Sequence, residues 1–170
     1  MDRRHLPLTH AEMIRNTIVQ QTDPRLTEAH NRYGCRLMCL LAIPQFVSAR
    51  VLTVPQILDI TERGRSTPRV IVNDKMRCGP DEHLLINWAF AALRSLRRGR
   101  QVGWTPEHEQ SVQWEYMFAH WRTRGPDGHF TLHDRTKTLL YDPHNPLQAG
   151  YSVDMLEIAR RLYYRTWEVT

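Results

Sequence analysis

The 170 residues hold only three cysteines, Cys35, Cys39 and Cys78. So small and odd a number does not build a disulfide framework, and free thiols in a reducing compartment are the expectation. No CxxC pair occurs, which removes the common zinc-site spacing. Long hydrophobic runs are also lacking. A membrane-spanning helix needs roughly 18 apolar residues, and the longest candidate, Leu37 to Val47, is interrupted by Pro44. The first residues, Met1-Asp2-Arg3-Arg4-His5, begin with charge, and no apolar signal core follows. A cytoplasmic chain is therefore expected, with delivery as an effector or release by lysis as the other routes. No internal repeat, low-complexity tract or Gly/Ser-rich linker occurs, so residues 1–170 read as one domain, with 1–28 as an N-terminal helical extension.

What is present is ordinary for a globular chain: 41% hydrophobic and 24% charged residues, enough for a core without metal or disulfide support. Lysine and arginine exceed aspartate and glutamate by 23 to 18, a formal charge of +5. Arg94, Arg97, Arg98 and Arg100 form the densest positive cluster. They offer a surface to an anionic partner, such as nucleic acid, cell wall or an acidic protein. The plainer account is a solvated helix end, where cations complement the helix dipole.

Helical signals fill the first half. Thr9-His10-Ala11-Glu12 has the capping-box spacing, with Met13, Ile14 and Ile18 following at helical intervals. Asp23-Pro24 ends that helix. Gly34-Cys35 opens an apolar stretch, Leu37 to Ile43, without period-2 alternation. This predicts a buried helix that Pro44 bends or ends. Thr53-Val54-Pro55-Gln56 is a second capping box, for a helix running to about Glu62 and stopping at Gly64. Val70-Ile71-Val72 reads as a short strand. Gly79-Pro80-Asp81-Glu82 begins a helix reaching about Arg98, with Leu85, Trp88, Ala89 and Leu93 in its buried stripe.

Strand signals fill the second half. Val112, Trp114, Tyr116 and Phe118 alternate with Ser111, Gln113, Glu115 and Met117, as in a half-buried strand. Gly125-Pro126-Asp127-Gly128 is a turn, and His129 to His133 is the next strand. Asp134 to Lys137 is a hairpin turn, and Thr138 to Tyr141 returns. Met155 to Leu162 reads as helical and Tyr163 to Val169 as a last strand. Helices followed by antiparallel strands make the expected class α+β.

This order brings a family into view. Tyr33-Gly34-Cys35-Arg36-Leu37-Met38-Cys39-Leu40-Leu41 looks like a nucleophile at the N-terminus of a central helix. Gly128-His129-Phe130-Thr131-Leu132 looks like a histidine strand, and Tyr141-Asp142-Pro143 like the next strand, with a residue that orients the histidine. The chain thus resembles the papain-like cysteine hydrolases, especially small bacterial and phage forms such as double-glycine peptidases and cell-wall endopeptidases. The likeness spans roughly residues 30 to 145 in architecture and about twenty residues in motif. It implies a triad of Cys35, His129 and Asp142, acting on a protein, peptide or peptidoglycan substrate without cofactor or metal. Many relatives carry a glutamine six residues before the cysteine as an oxyanion donor. Here Ala29 stands at that position, and Gln20, Gln21 or Asn31 is left as the candidate substitute.

The chemistry asks for these residue types. A thiol attacks carbonyl carbon only as thiolate, which a helix N-terminus and a nearby imidazolium both stabilise. The histidine moves the proton, and the carboxylate fixes its tautomer and supports its charge. Alternatives remain for each residue. Cys35 is otherwise a small buried hydrophobe, and Cys78 is a second candidate for a reactive thiol. His133 and His144 compete with His129. His133 lies on the same strand face at a distance of about 13 Å, and Asp142 also suits a turn before Pro143. Trp114 and Trp121 are candidates to line a groove, Trp114 more naturally belonging to the core. Cys35, Cys39, Cys78 and His83 offer a weak zinc alternative. A non-catalytic binding module on the same fold is the second functional reading.

Overall fold

The computed structural model describes residues 13, 14, 16–93, 102–107, 114–121, 129–143 and 158–168; for 102–107, 121, 158–161 and 163–168 it describes the backbone alone. Among the described residues, helices α1 (Glu28–Tyr33), α2 (Cys35–Ser48), α3 (Val54–Ser66) and α4 (His83–Ala92) lie before five strands. The strands are β1 (Val102–Glu107), β2 (Tyr116–Trp121), β3 (His129–His133), β4 (Leu139–Tyr141) and β5 (Ile158–Glu168). The class is α+β, as the patterning predicts. The capping box at Thr9 to Glu12 lies outside the described residues. Ile14 and Ile18 are buried beyond it, while Met13 is exposed.

Helix α2 is the centre of the packing. Every residue from Leu37 to Phe46 is buried, so the helix has no solvent face. A helix apolar all round must be enclosed by other elements. Pro44 does not end it. The helix continues to Ser48 and closes at Ala49, which takes a left-handed conformation at φ 51°. The one long polar side chain in the buried stretch, Gln45, is satisfied within it. Its Nε2 donates to Leu41 O at 3.0 Å and its Oε1 accepts from Leu52 N at 2.8 Å. Gly34 joins α1 to α2. A Cβ there would stand 2.6 Å from His30 O, so the sharp junction that starts α2 at Cys35 has no room for a side chain.

The capping box at Thr53 is formed in both directions, with Thr53 N donating to Gln56 Oε1 and Gln56 N to Thr53 Oγ1. Gly64 does not stop α3, which runs on to Ser66. It serves close packing instead, since a Cβ would meet Ile71 Cδ1 at 2.8 Å. Val70 to Val72 forms no full strand; a single bridge pairs Ile71 with Cys78. The predicted extension of α4 towards Arg98, and with it the cluster Arg94, Arg97, Arg98 and Arg100, lies outside the described residues.

The sheet is antiparallel in the order β1-β5-β2-β3-β4. Two expectations need correction. Ile158 to Leu162, expected to be helical, forms the first part of β5, which pairs with β1 on one side and β2 on the other. Ile158 to Leu162 pairs along β2, while β1 joins further on, from Tyr163 to Glu168; this ladder outweighs local helix preference. The alternation predicts a half-buried β2, yet Tyr116, Met117, Phe118 and Ala119, whose side chains point to opposite faces in turn, are all buried. β1 left no sequence signal. It contains Pro106, which only an edge position accommodates without losing a ladder bond. The turn at Gly125 to Gly128 lies outside the described residues. The hairpin at Asp134 forms as expected: Asp134 Oδ1 accepts from Thr136 N and Thr138 N, and Lys137 adopts φ 64°.

Two histidines are structural. His30 is fully buried between α1 and α3. Thr61 Oγ1 donates to Ile57 O at 2.7 Å, so it accepts from His30 Nε2 at 2.8 Å, and His30 Nδ1 accepts from Thr27 Oγ1 at 2.7 Å. His133 Nδ1 donates to Lys137 O at 3.2 Å, leaving Nε2 to accept from Thr131 Oγ1 at 2.7 Å. Burial pushes both down to about 4, with Arg65 adding to the effect at His30. In the unfolded chain each titrates near 6.5. Their stabilisation is therefore fully present above pH 6.5 and is lost as pH falls from there through about 4, where the unfolded chain binds protons that the fold excludes. The urea midpoint should drop between pH 6.5 and about 4, and His30→Gln should make that drop shallower. An unchanged midpoint across this window would contradict the assignment of neutral buried imidazoles.

Candidate functional site

Cys35 occupies the first position of α2, where backbone N–H groups have no intrahelical acceptor. It is partly exposed, whereas Cys39, one turn on, is completely buried. Cys39 Sγ donates to Phe130 O at 3.5 Å and so joins α2 to β3. Burial, reinforced by Cys35 and Asp142, drives its thiol well above the ordinary range. Burial, with Glu82 next in importance, pushes Cys78 up to about 12. Both are held as thiols at neutral pH, so neither is a competing nucleophile.

His129 opens β3 and Asp142 directly follows β4. The hairpin returns β4 beside β3 and brings the two together: His129 Nε2 donates to Asp142 Oδ1 at 2.8 Å, with both residues buried. An ionised carboxylate only accepts, which places a proton on Nε2 and turns Nδ1 towards the rest of the site. Burial alone would depress the imidazolium. Hydrogen bonds to Asp142 and then to the Cys35 sulfur, with the negative charge that each carries when ionised, outweigh it and raise His129 to about 9. Cys35, His129 and Asp142, the three residues singled out in the sequence, thus meet at the helix-to-sheet junction.

The other candidates fall elsewhere. His133 sits at the far end of β3 and is structural, while His144 lies outside the described residues. Trp114 is buried, with the Arg135 guanidinium 5.1 Å from its ring centre. The side chain of Trp121 is outside the described set. Asn31 does not suit an oxyanion hole, because its Nδ2 donates to both Gln21 O and Asp23 O, at 2.6 and 3.1 Å. Gln21 is fully buried, and among the described residues its Nε2 donates to Asn31 O at 3.3 Å. Gln20 Nε2 donates to Ile18 O at 3.3 Å. Among the described residues, no three His, Cys, Asp or Glu side chains converge as a metal-binding set. No helix in that set is long and apolar enough to cross a membrane.

Sequence reasoning passed over Arg36 and Glu82. Arg36 Nε donates to Glu82 Oε2 at 2.7 Å and a second bond makes the pair bidentate. The Arg36 guanidinium lies 5.0 Å from the Phe130 ring centre. Phe130 in turn stacks on its cross-strand partner His120, with ring centres 4.3 Å apart. The residue after Cys35 therefore ties the start of α2 to the start of α4 and to the residue after His129. A bidentate arginine fork suits this role in a way a lysine point charge does not. The only hint in the sequence was an arginine beside the candidate cysteine.

No family model matches the sequence, and no curated protein or solved structure matches it either.

The His129–Asp142 bond has a direct spectroscopic consequence. By NMR, His129 should keep its proton to about pH 9, while His30 and His133 stay neutral down to about 4. Asp142→Asn removes the charge that offsets burial and should lower the His129 midpoint by about one unit or more. A midpoint near 6.5 in the unaltered protein would refute the pairing.

Proposed function

We propose that this chain is a papain-like cysteine hydrolase that cleaves an amide or peptide bond through a thioester. The observation that carries the reading is the buried His129–Asp142 hydrogen bond beside a cysteine at a helix N-terminus. In this reading the imidazolium of His129 and the start of α2 both favour the Cys35 thiolate. The thiolate adds to the carbonyl carbon. The backbone N–H of Cys35, with Gln21 as candidate second donor, stabilises the oxyanion. As the tetrahedral species collapses, His129 passes its proton to the departing amine and the thioester remains. His129 then takes a proton from water, which attacks the thioester, releasing the carboxylic acid and restoring Cys35. Asp142 holds the imidazole in the tautomer with Nε2 protonated and supports its charge throughout.

Substrate classes compatible with this chemistry are proteins, peptides and peptidoglycan cross-links; the net charge of +5 favours an anionic one. A second reading, a non-catalytic binding module on the same fold, is favoured by Ala29 at the position where many relatives carry the oxyanion glutamine.

Alkylation with iodoacetamide, followed by peptide mass spectrometry, separates the two. Under the hydrolase reading Cys35 reacts faster than Cys39 and Cys78 at about pH 6. His129→Ala removes that reactivity, and turnover of any peptide substrate falls by at least about 10²-fold. Equal, slow labelling of all three cysteines in the native protein would sink the hydrolase reading and favour the binding module.

A further inference from the structure

We propose that Asn31 is a positioning residue for the His129–Asp142 pair, acting through a hydrogen-bonded brace that residues 19–23 lay against the end of β4. The inference rests on the hydrolase reading and assigns a role to a residue outside the triad.

Asp142 lies one residue beyond β4, and the ladder with β3 reaches no further than Tyr141. No strand pairing holds the carboxylate, yet its 2.8 Å bond to His129 demands a fixed backbone. The flanking residues supply the restraint. Before Asp142, Tyr141 Oη donates to Val19 O at 3.0 Å. After it, Pro143 O accepts from Gln21 N at 2.9 Å. Both partners belong to one short segment preceding α1, which is not part of any strand.

Asn31 makes that segment rigid. From α1 its single Nδ2 donates to Gln21 O and to Asp23 O, while its own carbonyl accepts from Gln21 Nε2. One planar amide with two N–H bonds thus pins both ends of the Gln21–Asp23 turn. The Gln21 side chain is completely buried, and among the described residues its Oε1 has no partner. A buried oxygen left unpaired is unfavourable, and here the main chain of Gln21 is committed on both sides, to Pro143 through its N–H and to Asn31 through its carbonyl. Aspartate has nearly the shape of asparagine but offers no donor, so the brace requires the amide.

The test reads His129 directly by NMR titration in the full-length protein, with Asp142 and Cys35 as the ionisable groups that face its ring. Asn31→Ser should lower the His129 midpoint by about one unit or more, with unchanged near-ultraviolet circular dichroism, and Asn31→Asp should do the same. Gln21→Ala, which keeps the N–H to Pro143, should retain most of the unaltered value. A lowered midpoint in Asp142→Asn together with an unchanged one in Asn31→Ser overturns the brace and leaves the Cys–His–Asp reading standing. A midpoint near 6.5 in the unaltered protein overturns both. Amide exchange gives a check that requires no variant: the Gln21 N–H should exchange far more slowly than a free amide, and exchange at the free rate overturns the proposal.

Discussion

Helix α2 has no face left for water, and the arrangement of the rest of the described structure follows from that. Ten consecutive buried residues must be enclosed, and α4 and β3 pack along the helix. Solvent reaches only its ends. At the N-terminal end this leaves Cys35 partly exposed, on a buried scaffold that cannot shift without disturbing the core. The same constraint presses β3 against the helix, where Cys39 bonds to the carbonyl of Phe130. His129 is then set beside the first turn of α2.

Environment, rather than residue type, divides the histidines. His30 and His133 each satisfy both ring nitrogens with neutral partners, and burial keeps them uncharged. His129 is also buried, but hydrogen bonds to Asp142 and Cys35, and then their negative charge when ionised, reverse the balance. The cysteines divide in the same way. Burial silences Cys39 and Cys78, leaving the helix-terminal Cys35 as the thiol placed for chemistry. A site in which neighbouring groups are driven to opposite protonation states is a recurrent mark of acid–base function.

The ties around this site are long-range. Arg36 reaches Glu82 on the approach to α4, and Asp142 is held by a loop more than a hundred residues earlier in the chain. Their effect is to limit movement between the helix that carries the thiol and the strands that carry the histidine and carboxylate, which is what pre-organisation for proton transfer requires.

Much of this was legible in residue order. The capping box at Thr53, the αL turn at Asp134 to Lys137 and the limits of the His129 strand are local, set by side chains bonding their own backbone within a few residues. The apolar run from Leu37 to Ile43 announced a buried helix, and the Gly before Cys35 marked its start. Features decided by distant neighbours were not legible. Ile158 to Leu162 became strand because the distant β2 pairs along it, and Tyr116 to Ala119 of β2 are buried on both faces despite their alternating pattern. Gly64 packs where it was expected to stop a helix, because Ile71 and Leu85 approach it. Asn31 was a natural oxyanion candidate until Gln21 and Asp23 were seen to take both its protons. The sequence by itself determined the α+β order and the buried helix that begins at Cys35, since periodicity, caps and turns act over short spans. Only the tertiary structure decided which histidine is charged, which thiols are silenced and what holds Asp142, because burial and charge at each of them come from residues far away along the chain.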